Sequence, residues 1–71
     1  METKYYKHIG AGYIDYLKIT DAKRFEISIW DDSDIFLCPS NHLEIKKDWQ
    51  ESTRSEFEIA KLKLINYIET L

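Results

Sequence analysis

The sequence predicts an α+β domain, an antiparallel sheet of three to five strands with one long C-terminal helix packed on one face. Three observations carry this. The segment RFEISIW (24–30) alternates apolar and polar side chains with period two, the pattern of a half-buried strand. YIDYLKIT (13–20) is dense in aromatic and β-branched residues, which suit a pleated surface. From about residue 52 the period becomes helical, and no Gly or Pro interrupts 48–71. At 71 residues the chain makes one domain with one small core.

The elements follow in order. KYYKHI (4–9) reads as a strand with Tyr5, Lys7 and Ile9 on one side and Tyr6 and His8 on the other. Gly10-Ala11-Gly12 permits a sharp bend, because glycine tolerates positive φ. In 13–20, Leu17 and Ile19 are expected to point inward with Tyr13, leaving Ile14, Tyr16 and Lys18 outside. Asp21-Ala22-Lys23 is a turn. In 24–30, Phe25, Ile27 and Ile29 face the helix, and Arg24, Glu26, Ser28 and Trp30 face away.

Asp31-Asp32-Ser33-Asp34 then returns the chain into the apolar run Ile35–Cys38, since Asp and Ser side chains bond nearby backbone and favour turns. PSNH (39–42) is a further turn. LEIK (43–46) is expected as a short edge strand, with Lys46 and Lys47 discouraging pairing to another chain. Thr53-Arg54-Ser55-Glu56 fits a helix-capping box, and Asp48 offers an earlier start. Phe57, Ala60, Leu64, Ile68 and Leu71 form the inward stripe, with Tyr67 beside them.

Composition excludes several functions. Thirteen acids against ten Lys and Arg give a formal charge of −3, mixed along the chain. Nucleic-acid binding by phosphate neutralisation needs a concentrated basic face, so no direct nucleic-acid contact is expected. The single cysteine, Cys38, forms no internal disulfide, and METKYYKHIGAG lacks the apolar core of a secretory signal. A cytoplasmic setting without membrane contact is the expectation.

No metal or cofactor is expected. A calcium loop counted from Asp32 meets Asp34, then Phe36 where a ligand belongs, Leu37 where glycine belongs and Leu43 where glutamate belongs. Cys38, His42 and His8 fall short of a four-ligand zinc site. A Cys/His dyad oriented by Asp34 lacks any oxyanion nest or nucleophile elbow, so the chain reads as a non-enzyme.

Two surfaces remain as binding candidates. One is the outer sheet face, where Trp30, Tyr16 and Ile14, with Tyr6, are the expected aromatic anchors. Asp31, Asp32 and Asp34 add acidic contacts to it. The other is the helix back. Ile59 and Leu62 are three apart and therefore neighbours, with Asn66 between them in angle and Glu56, Glu58, Lys61 and Lys63 as a polar rim. That face suits a partner groove or a homodimer.

Small size, mild acidity, the hairpin-forming stretches YIDYLKIT and RFEISIW, and the terminal RSEFEIAKLKLINYIETL together resemble small phage-encoded inhibitor proteins, including anti-CRISPR proteins. The resemblance is one of architecture and size, and it carries over no individual site residue. It implies a protein that occupies a host protein's surface or sequesters a small signal molecule in the host cytoplasm. A charge of −3 is low for a nucleic-acid mimic.

Overall fold

The computed structural model describes residues 2–32, 34–40 and 44–71. Five strands and one helix follow in the order β1 (Lys4–Gly10), β2 (Tyr13–Thr20), β3 (Lys23–Trp30), β4 (Ile35–Ser40), β5 (Gln50–Glu51) and α1 (Arg54–Glu69). The strands form one antiparallel sheet with the spatial order β4-β3-β2-β1-β5. This is the α+β class that the periodicities predict.

Helix α1 crosses one face and buries Phe57, Ala60 and Leu64 against Ile27. Tyr5, Tyr16, Phe25, Ile29 and Ile35 pack around that centre. Thr53 caps the helix, its Oγ1 accepting from the Glu56 amide at 3.2 Å. The expected reciprocal arm of the capping box goes elsewhere. Glu56 accepts from Ser52 Oγ at 2.8 Å and from Lys7 Nζ at 3.0 Å, tying the first helical turn to β1. Asp48 starts no helix, because Gln50–Glu51 pair with β1 first.

Three expectations are corrected at this level. The stripe runs out before its end: Phe57, Ala60 and Leu64 are buried, whereas Ile68 and Leu71 are exposed beyond the core. Residues 44–46 form no strand; the fifth strand is β5, at the opposite edge of the sheet. Pro39 and Ser40 belong to β4 rather than to a turn, and 41–43 lie outside the described residues.

A fourth correction concerns β2 and has a specific physical cause. The β2–β3 connection is two residues long, Asp21 (φ 47°) and Ala22 (φ 60°), both left-handed as a type I′ hairpin requires. Lys23 is therefore already in β3, opposite Thr20. That register sets Tyr16 opposite Ile27 and Ile14 opposite Ile29, so both lie on the helix side. A three-residue turn would have set Leu17 there instead. One residue of slip exchanges the two faces of a strand.

Leu17 is nevertheless only 1% exposed, on the face away from the helix. β4 and β5 lie at opposite edges of the sheet, and residues 44–49, which lead into β5, lie across that second face. Trp49 packs on Tyr6 (6.0 Å between ring centroids), Arg24 lies over the Trp49 ring at 5.5 Å, and Asp48 meets His8. Both sheet faces are thus covered, one by a helix and one by a strap at 44–49.

Candidate functional site

The open part of the second face lies at the end carrying the β1–β2 and β3–β4 turns. Trp30 closes β3 there. Its amide donates to the Asp34 carbonyl at 2.9 Å, so the residue turns its backbone toward β4 and away from β2. Tyr13, its partner in β2, therefore sits in a non-hydrogen-bonded pair, where side chains come closest. The two rings stack with centroids 4.6 Å apart and planes at 28°. Trp30 remains 39% exposed.

The Tyr13 ring is held from below. It covers Gly10, where an added Cβ would come within 2.1 Å of the ring. Its edge meets His8 at 5.8 Å. The next turn is docked alongside, as Asp31 donates its amide to the Gly12 carbonyl at 2.9 Å, with Gly12 at φ 83°. The result is a contiguous strip, Tyr13 to Trp30 to Asp31 and Asp32, presented by two hairpin ends.

Asp34 answers the question that its acidic neighbours raise. Its amide donates to Asp32 Oδ1 at 3.2 Å, the side-chain-to-backbone bond that makes such residues turn formers. Its own carboxylate accepts from the Tyr67 hydroxyl at 3.2 Å. Burial, followed by the adjacent Asp34 charge, pushes the Tyr67 hydroxyl above its ordinary pKa. Asp34 is thus a link between turn and helix, while Asp31 and Asp32 are exposed.

On the helix side of the same end, an open groove of about 380 Å³ is lined by Ile29, Trp30, Ile35, Lys63, Asn66 and Tyr67, with Thr70 at its rim. Trp30 and Asn66, expected on two separate surfaces, share this groove. Ile59 and Leu62 stay on the helix back. They belong to a longer row at three-residue spacing, with Ile59, Leu62, Ile65 and Ile68 between 40% and 59% exposed.

Tyr16 and Ile14 are not part of the aromatic strip. The two-residue turn places them on the helix side, and Tyr16 packs against the core. Tyr13, expected inside, takes the place assigned to Tyr16. Tyr6 lies on the open side but under Trp49.

Sequence reasoning also missed a polar cluster beneath the strap. Asp15 accepts from Ser28 Oγ at 2.6 Å and lies 3.5 Å from His8 Nδ1, whose Nε2 faces Asp48 at 3.0 Å. Asp15 stands directly opposite Ser28 in the register, and His8 directly opposite Asp15. Glu26 lies near this cluster; burial first, then the Asp15 charge, raises its carboxyl above the ordinary range against the opposing pull of Arg24, Lys46 and His8. Here Asp15 sits between serine and histidine, so the histidine is not placed to activate the serine hydroxyl. The cluster anchors the strap through Asp48.

Cys38 is exposed on β4, and His42 lies outside the described residues. Among the described residues no group of three or more His, Cys, Asp or Glu is arranged to hold a metal ion. No helix among them is long and apolar enough to cross a membrane. No protein-family model, no curated protein and no solved structure matches this chain.

Proposed function

We propose that this chain is a non-catalytic binding protein, in the setting of a phage or mobile-element inhibitor that acts on a host defence system by steric occlusion. The observation that carries the reading is the Tyr13–Trp30 stack at one end of the sheet, with Trp30 exposed, Tyr13 half-buried beneath it, and Asp31 and Asp32 at its border. Stacked aromatics of this kind supply large contact area with little side-chain entropy to lose, and they dominate interface energetics. The flanking carboxylates suit a partner with a basic groove. The small sheet-and-helix architecture supports the inhibitor setting, with the host cytoplasm as the place of action. A small signal molecule seated in the Trp30–Asn66 groove is the sequestering form of the same reading.

The test pairs stability with capture. Trp30→Ala is expected to melt within a few degrees of the parent, because the indole lies outside the helix-side core. The same variant is expected to lose a protein that the parent retains from a bacterial lysate. Unfolding of the variant, or an unchanged capture profile, contradicts the reading. Stabilisation of the parent by cyclic or linear nucleotides in a thermal-shift series identifies the sequestering form.

A second reading, a homodimeric or adaptor module paired through the helix, is favoured by the exposed aliphatic row Ile59–Leu62–Ile65–Ile68. Glu58, Lys61 and Lys63 are interspersed along it.

A further inference from the structure

The other exposed element is β4. It is the terminal strand of the sheet, with only β3 as a neighbour among the described residues. Its six residues, Ile-Phe-Leu-Cys-Pro-Ser, contain no charge. Phe36 and Leu37, on opposite faces, are 50% and 51% exposed. Edge strands usually carry charges, inward-pointing polar groups or an early proline to prevent pairing, and here the only proline comes fifth. The far edge is treated differently: β5 covers β1 and the chain turns straight into the helix.

The direction of the free backbone groups follows from one bond. Trp30 N–H bonds to the Asp34 carbonyl, so Asp34 turns its backbone toward β3. Alternation along an antiparallel strand then turns Phe36 and Cys38 toward β3, and Ile35 and Leu37 outward. Pro39 also faces outward but has no N–H to offer.

We propose that β4 is a self-pairing edge, occupied by β4 of a second copy in antiparallel register about a two-fold axis at Phe36. In that register Ile35 of each copy exchanges both backbone bonds with Leu37 of the other, and the ladder spans 34–38, ending before Pro39, which has no N–H to donate. Ile35 and Leu37 meet their counterparts on the helix side, beside the groove of about 260 Å³ whose apolar floor includes Phe25, Ile27, Phe57 and Leu64 and whose lining also includes Lys18 and Lys61. Phe36 meets its own copy on the strap side as a non-hydrogen-bonded pair.

Charge selects a second copy over an unlike strand. A two-fold axis brings like residues together, and a strand without charge is what tolerates that. The nearest acid, Asp34, falls opposite Cys38 and not opposite another carboxylate. The helix row lacks this property, since Glu58, Lys61, Lys63 and Glu69 run along it. The pairing extends the sheet to two copies of five strands, with both helices on one face. Trp30 lies one strand in from the junction, so each copy keeps its aromatic strip, and the dimer presents it twice. The inference stands independently of what those strips bind.

Sedimentation equilibrium and native mass spectrometry of the intact chain are expected to show a dimer at about 100 µM. Phe36→Lys, at a half-exposed edge position, is expected to weaken the dimer by about a hundredfold while leaving the circular dichroism spectrum unchanged. Leu62→Asp is expected to leave the dimer intact. Phe36→Cys in a Cys38→Ser background is expected to oxidise to a covalent dimer, because Cα atoms in such a pair lie about 4.5 Å apart, within disulfide range. A monomer at that concentration overturns the proposal. So does a dimer that survives Phe36→Lys, or one that dissociates with Leu62→Asp. Failure of the double variant to cross-link overturns the register.

Discussion

At the scale of single residues, two glutamates respond to their surroundings in opposite senses. Glu56 accepts from Lys7 and Ser52, and these bonds hold its carboxyl below the ordinary range. Its folded value is depressed, so its contribution is present above the unfolded value of roughly 4.3 and is lost as pH falls through the folded one. Glu26 is raised by burial and by Asp15. Its contribution is present at acid pH and is lost as pH rises through the raised value, leaving a cost at neutrality. Glu26→Gln is therefore expected to raise the melting temperature by roughly 2–5 °C at neutral pH. The gain shrinks as the pH approaches the acid range, where the parent regains the protonated form. A melting series from acid to neutral pH checks this, and a gain that grows toward acid contradicts it. Nothing in the local sequence announces the Glu26 shift. It arises from burial and from Asp15, eleven residues away in the chain, while Lys46 on the strap opposes it.

At the scale of elements, the β2–β3 turn decides which side chains meet. Asp21 and Ala22 both occupy the left-handed region, where the steric cost to alanine is about 1 kcal/mol. Ala22→Gly removes that cost and recovers it only in part through the greater freedom of glycine in the unfolded chain. A net gain of about 0.5 kcal/mol is expected, read as a rise of a few degrees in melting temperature. A loss of stability contradicts the turn geometry. The same turn explains what the sequence made legible and what it concealed. The clean alternation Phe25, Ile27, Ile29 located the helix side of β3, and the cap at Thr53 located the helix start. YIDYLKIT carries apolar residues on both faces, so its pattern cannot choose between them. The missing signal was turn length, one residue shorter than the flanking Asp-Ala-Lys suggests. Tyr13 and Tyr16 exchanged places as a consequence. An apolar run on both faces is itself the mark of a strand covered twice, which is how the strap at 44–49 could have been anticipated.

At the scale of the molecule, the chain covers most of its sheet twice, and among the described residues the aromatic strip, the helix row and the β4 edge stay open. The strip exists because β2 and β3 align as they do, which brings Tyr13 under Trp30 at the hairpin end. Its acidic border was legible as a turn, since three Asp near one Ser between two strands have few other roles. Its aromatic partner was not, because cross-strand neighbours depend on register and not on spacing within a strand. The functional reading therefore stands on that alignment, and NMR measures it directly. Tyr13–Trp30 is a non-hydrogen-bonded pair, and by alternation so is Leu17–Glu26. Strong cross-strand Hα–Hα Overhauser effects are expected within each of these two pairs. A strong effect between Leu17 and Ile27 instead, with none between Tyr13 and Trp30, contradicts the account.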